Sequence, residues 1–97
     1  MGQRIVLRTS AVIGDVAIFD TDRTISGQDG ESFTSVEAAR NGISFSARLA
    51  ERLFESDDAI DSVFVQSNAV TIRRAGGWGS TDEAGAVIEG FFEFYPG

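Results

Sequence analysis

The stretch Ser46-Ala47-Arg48-Leu49-Ala50-Glu51-Arg52-Leu53-Phe54, followed by Ile60-Asp61-Ser62-Val63-Phe64-Val65 and Ala69-Val70-Thr71-Ile72, decides how this chain folds. In the first segment Leu49, Ala50, Leu53 and Phe54 recur at i, i+1, i+4 and i+5, the stripe of a helix with one buried side. Ser46 suits the N-cap, where its oxygen would accept an otherwise orphaned backbone N–H. Arg48, Glu51, Arg52 and Glu55 fall on the opposite side and read as a solvated face, with ion pairs worth a few tenths of a kcal/mol each. In the other two segments the period changes to two. Val63 and Val65 share one face, and Val70 and Ile72 share one on the next strand. Gln66-Ser67-Asn68 closes them into a hairpin, with Asn68 suited to a positive-φ turn position.

Towards the N-terminus, residues 4–9 and 16–19 read as two strands turning at Gly14-Asp15, and Thr24-Ile25 as an extension of the second strand or the start of a short third. Residues 26–35 are polar and aperiodic, a loop whose glycines Gly27 and Gly30 lack the spacing that cradles phosphate. Val36 to Arg40 is weakly helical and stops at Asn41-Gly42. Towards the C-terminus, Arg73-Arg74 ends the hairpin, and Ala75-Gly76-Gly77-Trp78-Gly79 reads as a flexible connection. A last helix is predicted over residues 81–94, with Ser80 and Glu83 as a capping box and Ala84, Val87, Ile88, Phe91 and Tyr95 as its apolar stripe. Gly85 and Gly90 weaken it by up to about 1 kcal/mol each. The order β-β-α-β-β-α predicts one α+β domain over residues 1–97, with two layers: an antiparallel four-stranded sheet and helices on one face. The other face would then meet solvent or a partner.

Composition excludes several chemistries. The 97 residues contain no cysteine and no histidine, so these residues offer no disulfide, thiolate nucleophile, Cys/His metal site or histidine acid–base catalyst. Nor do they offer a thiolate for an iron–sulfur cluster. The net charge of −7 argues against a nucleic-acid partner. All eight cations are arginine, a bias suited to a GC-rich genome or to a salt-accumulating halophile. Asp57, Asp58 and Asp61 gather carboxylates, but the glycine and later glutamate of a calcium loop are missing, and they read as surface acidity. Asp20 and Asp22 read the same way. No run is long enough for a membrane span or a signal peptide, and Val6 stands where a myristoylation signal has Ser or Thr, so a cytoplasmic protein is expected.

Residues 46–94 also resemble a known family. The helix from Ser46 to Phe54, the strands Ile60–Val65 and Ala69–Ile72, and a tryptophan (Trp78) ahead of a final helix are similar to the N-terminal domain of the Nfu/NifU-like iron–sulfur cluster scaffold proteins. That family has an S-P-L-A-x-x-L-F helix start, a V-x-x-V-F-F strand and an I-T-V strand. Ala47 stands in place of the family's proline and Val65 in place of its second phenylalanine, and the family's asparagine- and proline-rich opening is absent. The cluster-binding Cys-x-x-Cys of the family lies in a separate domain, and no residue here matches it. The resemblance implies the fold and an accessory, protein-contacting role without cluster binding.

The expected function is therefore a non-catalytic protein-interaction module, its partners iron–sulfur assembly factors or client apo-proteins, acting as a monomer or weak homodimer. No catalytic, cofactor-binding or metal-ligating residue is assigned. Trp78, Phe92, Phe94 and Tyr95 are the candidate partner contacts, because with Phe91 they exceed what one helix face buries. Two alternatives remain: a structural domain that pairs through a sheet edge or its open face, and an enzyme that uses carboxylates with arginine.

Overall fold

The computed structural model describes residues 7–22, 24, 25 and 27–94, apart from the side chains of residues 8, 9 and 92–94. Its elements are β1 (Leu7–Ile13), β2 (Val16–Thr21), β3 (Glu31–Phe33), α1 (Val36–Asn41), α2 (Phe45–Ser56), β4 (Ile60–Gln66), β5 (Ala69–Arg74) and α3 (Asp82–Phe94). The fold is α+β with one antiparallel sheet, ordered β1-β2-β5-β4-β3.

The sheet has five strands where four were expected. The extra strand is β3, three residues inside the predicted loop. Its Glu31 and Phe33 pair with Val65 and Val63 of β4, and Phe33 is buried. Pairing with a distant strand and burial of one ring hold this segment extended, so its own composition shows no period. Thr24 and Ile25 lie beyond the end of β2 and form no strand; Ile25 instead donates its N–H to the Ser67 carbonyl at 2.7 Å. Of the expected first strand, residues 4–6 lie outside the described residues, and β1 continues to Ile13.

The β4–β5 hairpin has the expected facing, with Val63 opposite Ile72 and Val65 opposite Val70, all four fully buried. The positive φ of its turn belongs to Ser67 (φ 53°), not Asn68. Asn68 instead ties the turn to the end of β2. Its side-chain Nδ2 donates to the Thr21 carbonyl at 3.0 Å, and its own carbonyl accepts from the Thr21 hydroxyl at 3.1 Å.

The region between β3 and β4 forms two helices. α1 is capped by Ser35, whose Oγ accepts from the Ala38 N–H at 3.1 Å. α2 begins two residues earlier than expected, and its cap is Ser44, not Ser46. Ser44 Oγ accepts from Ala47 N–H at 3.1 Å and donates to Glu31 Oε2 at 2.9 Å, which fastens the helix start to β3. Ser46 is buried in the first turn. Arg48, expected on the solvated face, is half-buried: its Nη2 donates to the carbonyls of Ala39, Arg40 and Gly42 and closes the C-terminal end of α1. Nη2 carries two N–H groups, so they are shared among the three carbonyls, of which that of Ala39 also accepts from the Gly42 N–H. Glu51 lies 3.2 Å from Arg48 and 3.5 Å from Arg40.

α3 starts at Asp82, one residue later than expected, and Ser80 Oγ accepts from the Asp82 N–H at 3.2 Å. Ala84, Ile88 and Phe91 of the stripe are buried, Val87 packs at its margin, and Tyr95 lies outside the described residues. Gly85 lets this helix approach β1: a Cβ there would stand 3.0 Å from Leu7 Cδ1. The buried side chains of α2 and α3 join those of β2, β5, β4 and β3 in one core. Every helix therefore lies on the same side of the sheet.

Candidate functional site

Two surfaces follow from this arrangement: the sheet face without helices, and a cleft at the start of α3. Strand register fixes the first. Ala11, Ile18, Thr71, Phe64 and Ser32 stand opposite one another across all five strands and point away from the core. One row along, Ile13, Val16 and Arg73 align; on the other side of the central row, Asp20, Ala69 and Gln66 do. Ile13 is 69% exposed and Phe64 36%, while Val16 and Ile18 are half-buried. The backbone shapes this surface at Gly30, whose φ is +75° and where a Cβ would stand 2.8 Å from the Phe64 ring. A side chain there would displace the ring.

The cleft, about 420 Å³, lies between the α2–β4 corner and the N-terminus of α3, lined among others by Asp57, Arg74, Trp78, Ser80, Asp82 and Glu83. Arg74 Nε donates to Asp57 Oδ2 at 2.6 Å, and its Nη1 donates to the Gly77 carbonyl at 2.8 Å. Asp57 Oδ1 accepts from the Ala59 N–H at 2.9 Å. The hydrogen bond from Arg74, with that from Ala59, holds the Asp57 carboxyl below its ordinary range.

The segment expected to be a flexible connection is folded back by these bonds. Gly76 and Gly77 take φ of +83° and +84°, a conformation that favours glycine, and return the chain to Arg74. Trp78 Nε1 then donates to the Asp15 carbonyl at 3.0 Å, and its ring meets Phe19 edge-on at 6.4 Å.

Of the four candidate contact residues, Trp78 thus forms a wall of the cleft and the margin of the core. The side chains of Phe92 and Phe94, and all of Tyr95, lie outside the described residues. The apolar residues of the open face, Ile13, Ile18 and Phe64, are not among the contacts expected from sequence. Their signal was present: Val16-Ala17-Ile18-Phe19 and Val63-Phe64-Val65 are apolar at consecutive positions, so both faces of those strands carry apolar side chains.

The cleft does bring carboxylates and an arginine together. Yet both Asp57 oxygens accept hydrogen bonds and its carboxyl is held ionised, the opposite of a base tuned towards neutral pH. Arg74 is engaged with Asp57 and Gly77. This arrangement secures a loop. Among the described residues no three acidic side chains converge as a metal site, and no helix is long and apolar enough to cross a membrane.

No family model matches the chain, and no curated protein matches it significantly. Among solved structures it is similar to the crystal structure of protein SAV1430 from Staphylococcus aureus, with a TM-score of 0.60 and 7% identity over 89% of this chain and 96% of that one. At that identity the likeness concerns the fold alone.

Proposed function

We propose that this chain is a non-catalytic protein-contact module, related to the N-terminal domains of Nfu/NifU-like scaffold proteins and acting in the cytoplasm without holding a cluster itself. The observation that carries this reading is the one-sided cover of the sheet: three helices on one face, and Ile13, Val16, Ile18 and Phe64 on the other. An apolar sheet face left in water is a surface suited to another protein. Trp78, Phe92, Phe94 and Tyr95 remain proposed secondary contacts. The absence of cysteine and histidine from the 97 residues is consistent with an accessory role. The partners proposed are iron–sulfur assembly factors or cluster-requiring client proteins.

The test is affinity capture from the native cell extract, comparing the tagged protein with its Phe64→Glu variant. Enrichment of iron–sulfur assembly factors or their clients, lost with Phe64→Glu, is the expected result. Capture of unrelated proteins, or equal capture by the variant, would overturn the assignment.

Asp82 and Glu83, which line the cleft beside the engaged Asp57–Arg74 pair, give a second reading, carboxylate chemistry on a small substrate. It predicts that small carboxylic acids or amines protect the wild type against thermal unfolding and fail to protect Glu83→Gln. Equal behaviour of the two proteins ends that reading.

A further inference from the structure

We infer that the open sheet face is covered by a second copy of this chain, related by a two-fold axis that runs across the strands along the central Ala11-to-Ser32 row. The inference rests on the open face being a contact surface, and needs no link to iron–sulfur metabolism.

Charge is placed to favour such a pair. The chain carries −7 overall, yet among the described residues that the strand register places in these three rows the charged ones are one cation, Arg73, and one anion, Asp20. They stand on the two rows flanking the neutral central row: Arg73 on β5 opposite Val16, Asp20 on β2 opposite Ala69. The proposed axis reverses the strands and exchanges those two rows. Arg73 of one copy then lies one strand spacing, about 4.8 Å in lateral offset, from Asp20 of the second. The symmetry makes this pair twice. Arg73 Nε now lies 3.9 Å from Asp15 Oδ2, a long pair with both side chains more than half exposed, so Arg73 is available to turn.

The same axis also orders the centre of the face. It sets Ile18 against Ile18 and Phe64 against Phe64, so apolar groups meet apolar groups while the charged rows take one another. A two-fold contact must be self-complementary in this manner.

Strands about 4.8 Å apart and rows about 6.8 Å apart give the positions of these rows a face of roughly 400 Å² per copy. Two such faces bury roughly 800 Å², below the standard interface and in the range of weak, transient contacts. The pair is therefore reversible and concentration-dependent.

Sedimentation equilibrium of the purified protein from micromolar to millimolar concentration tests this. Wild type is expected to rise in average mass from one copy towards two. Arg73→Glu sets glutamate against Asp20, and Asp20→Arg sets arginine against Arg73, so each variant alone is expected to self-associate at least about tenfold more weakly. An equimolar mixture of the two should recover association, because both cross pairs are then of opposite charge. That recovery also shows that both variants fold. Phe64→Glu, checked for folding by circular dichroism, should stay a single copy.

A wild type that remains single throughout overturns the inference, as does undiminished association of Arg73→Glu and Phe64→Glu, or a mixture that fails to recover while both variants are folded. The two proposals fail separately. A single-copy wild type that still captures iron–sulfur factors through Phe64 removes the second copy and keeps the module. A self-associating protein that captures none of them does the reverse.

Discussion

The two faces of β2 carry similar side chains and meet opposite fates. Ala17, Phe19 and Thr21 point to the helices and are fully buried, while Val16, Ile18 and Asp20 alternate with them and remain part-exposed. The same holds in β4, where Val63 and Val65 are buried and Phe64 between them is exposed. Apolar character alone does not select the covered face. The helices do: the stripes of α2 and α3 match one side, and nothing among the described residues covers the other.

Truncating one ring on each face should separate the two faces most. Phe19→Ala, in the core and against Trp78, should cost about 3–5 kcal/mol in urea unfolding, from lost transfer energy and the cavity left behind. Phe64→Ala, measured at low protein concentration, should cost less than about 1 kcal/mol. Equal losses would mean that the open face is not open.

Next in size is the corner that holds the cover together. Arg48→Ala would leave the carbonyls of Ala39, Arg40 and Gly42 without their guanidinium donor, at about 2 kcal/mol. Glu51→Ala, which removes only surface ion pairs to Arg48 and Arg40, should cost under about 1 kcal/mol. If the two variants unfold at the same urea concentration, Arg48 acts through charge alone.

The loop at the margin of the cover should respond to pH. The folded carboxyl of Asp57 is depressed by its bonds to Arg74 and Ala59, so it binds its proton less readily than in the unfolded chain. Its contribution is therefore present above the unfolded value, near pH 4, and is lost as pH falls through the folded value. Wild type should exceed Asp57→Asn in stability at neutral pH and converge with it in acid. A constant gap between the two denaturation series would contradict that assignment.

The smallest effect separates the two glycines of α3. A Cβ at Gly90 meets nothing within 4 Å, so Gly90→Ala should gain about 0.5–1 kcal/mol of helix propensity. Gly85→Ala faces Leu7 Cδ1 at 3.0 Å and should gain less. Thermal unfolding of the two variants side by side decides this.

The elements readable from local pattern were the β4–β5 hairpin, the buried side of α2 and the stripe of α3, because each carries its own period over several residues. Three residues of β3 carry none, and their conformation depends on Val63–Val65, some thirty positions away. Likewise Ser44 and Ser46 are equally good caps by composition. The bond from Ser44 to Glu31 and the burial of Ser46 distinguish them, and both require β3 to be in place. The candidate site was less legible. Aromatic richness drew attention to the C-terminal end, whereas exposure is decided by which side of a strand the helices take.

By itself, then, the sequence determined the chemistry this chain can offer and the class of its fold, since side-chain inventory and hydrophobic period are local properties. Only the tertiary structure decided which face of the sheet is left uncovered, that Arg48 closes a helix, and that Trp78 and Arg74 pin a loop. Each of those depends on segments distant in the chain meeting in space, where burial and hydrogen bonding between them outweigh the preference of any one residue.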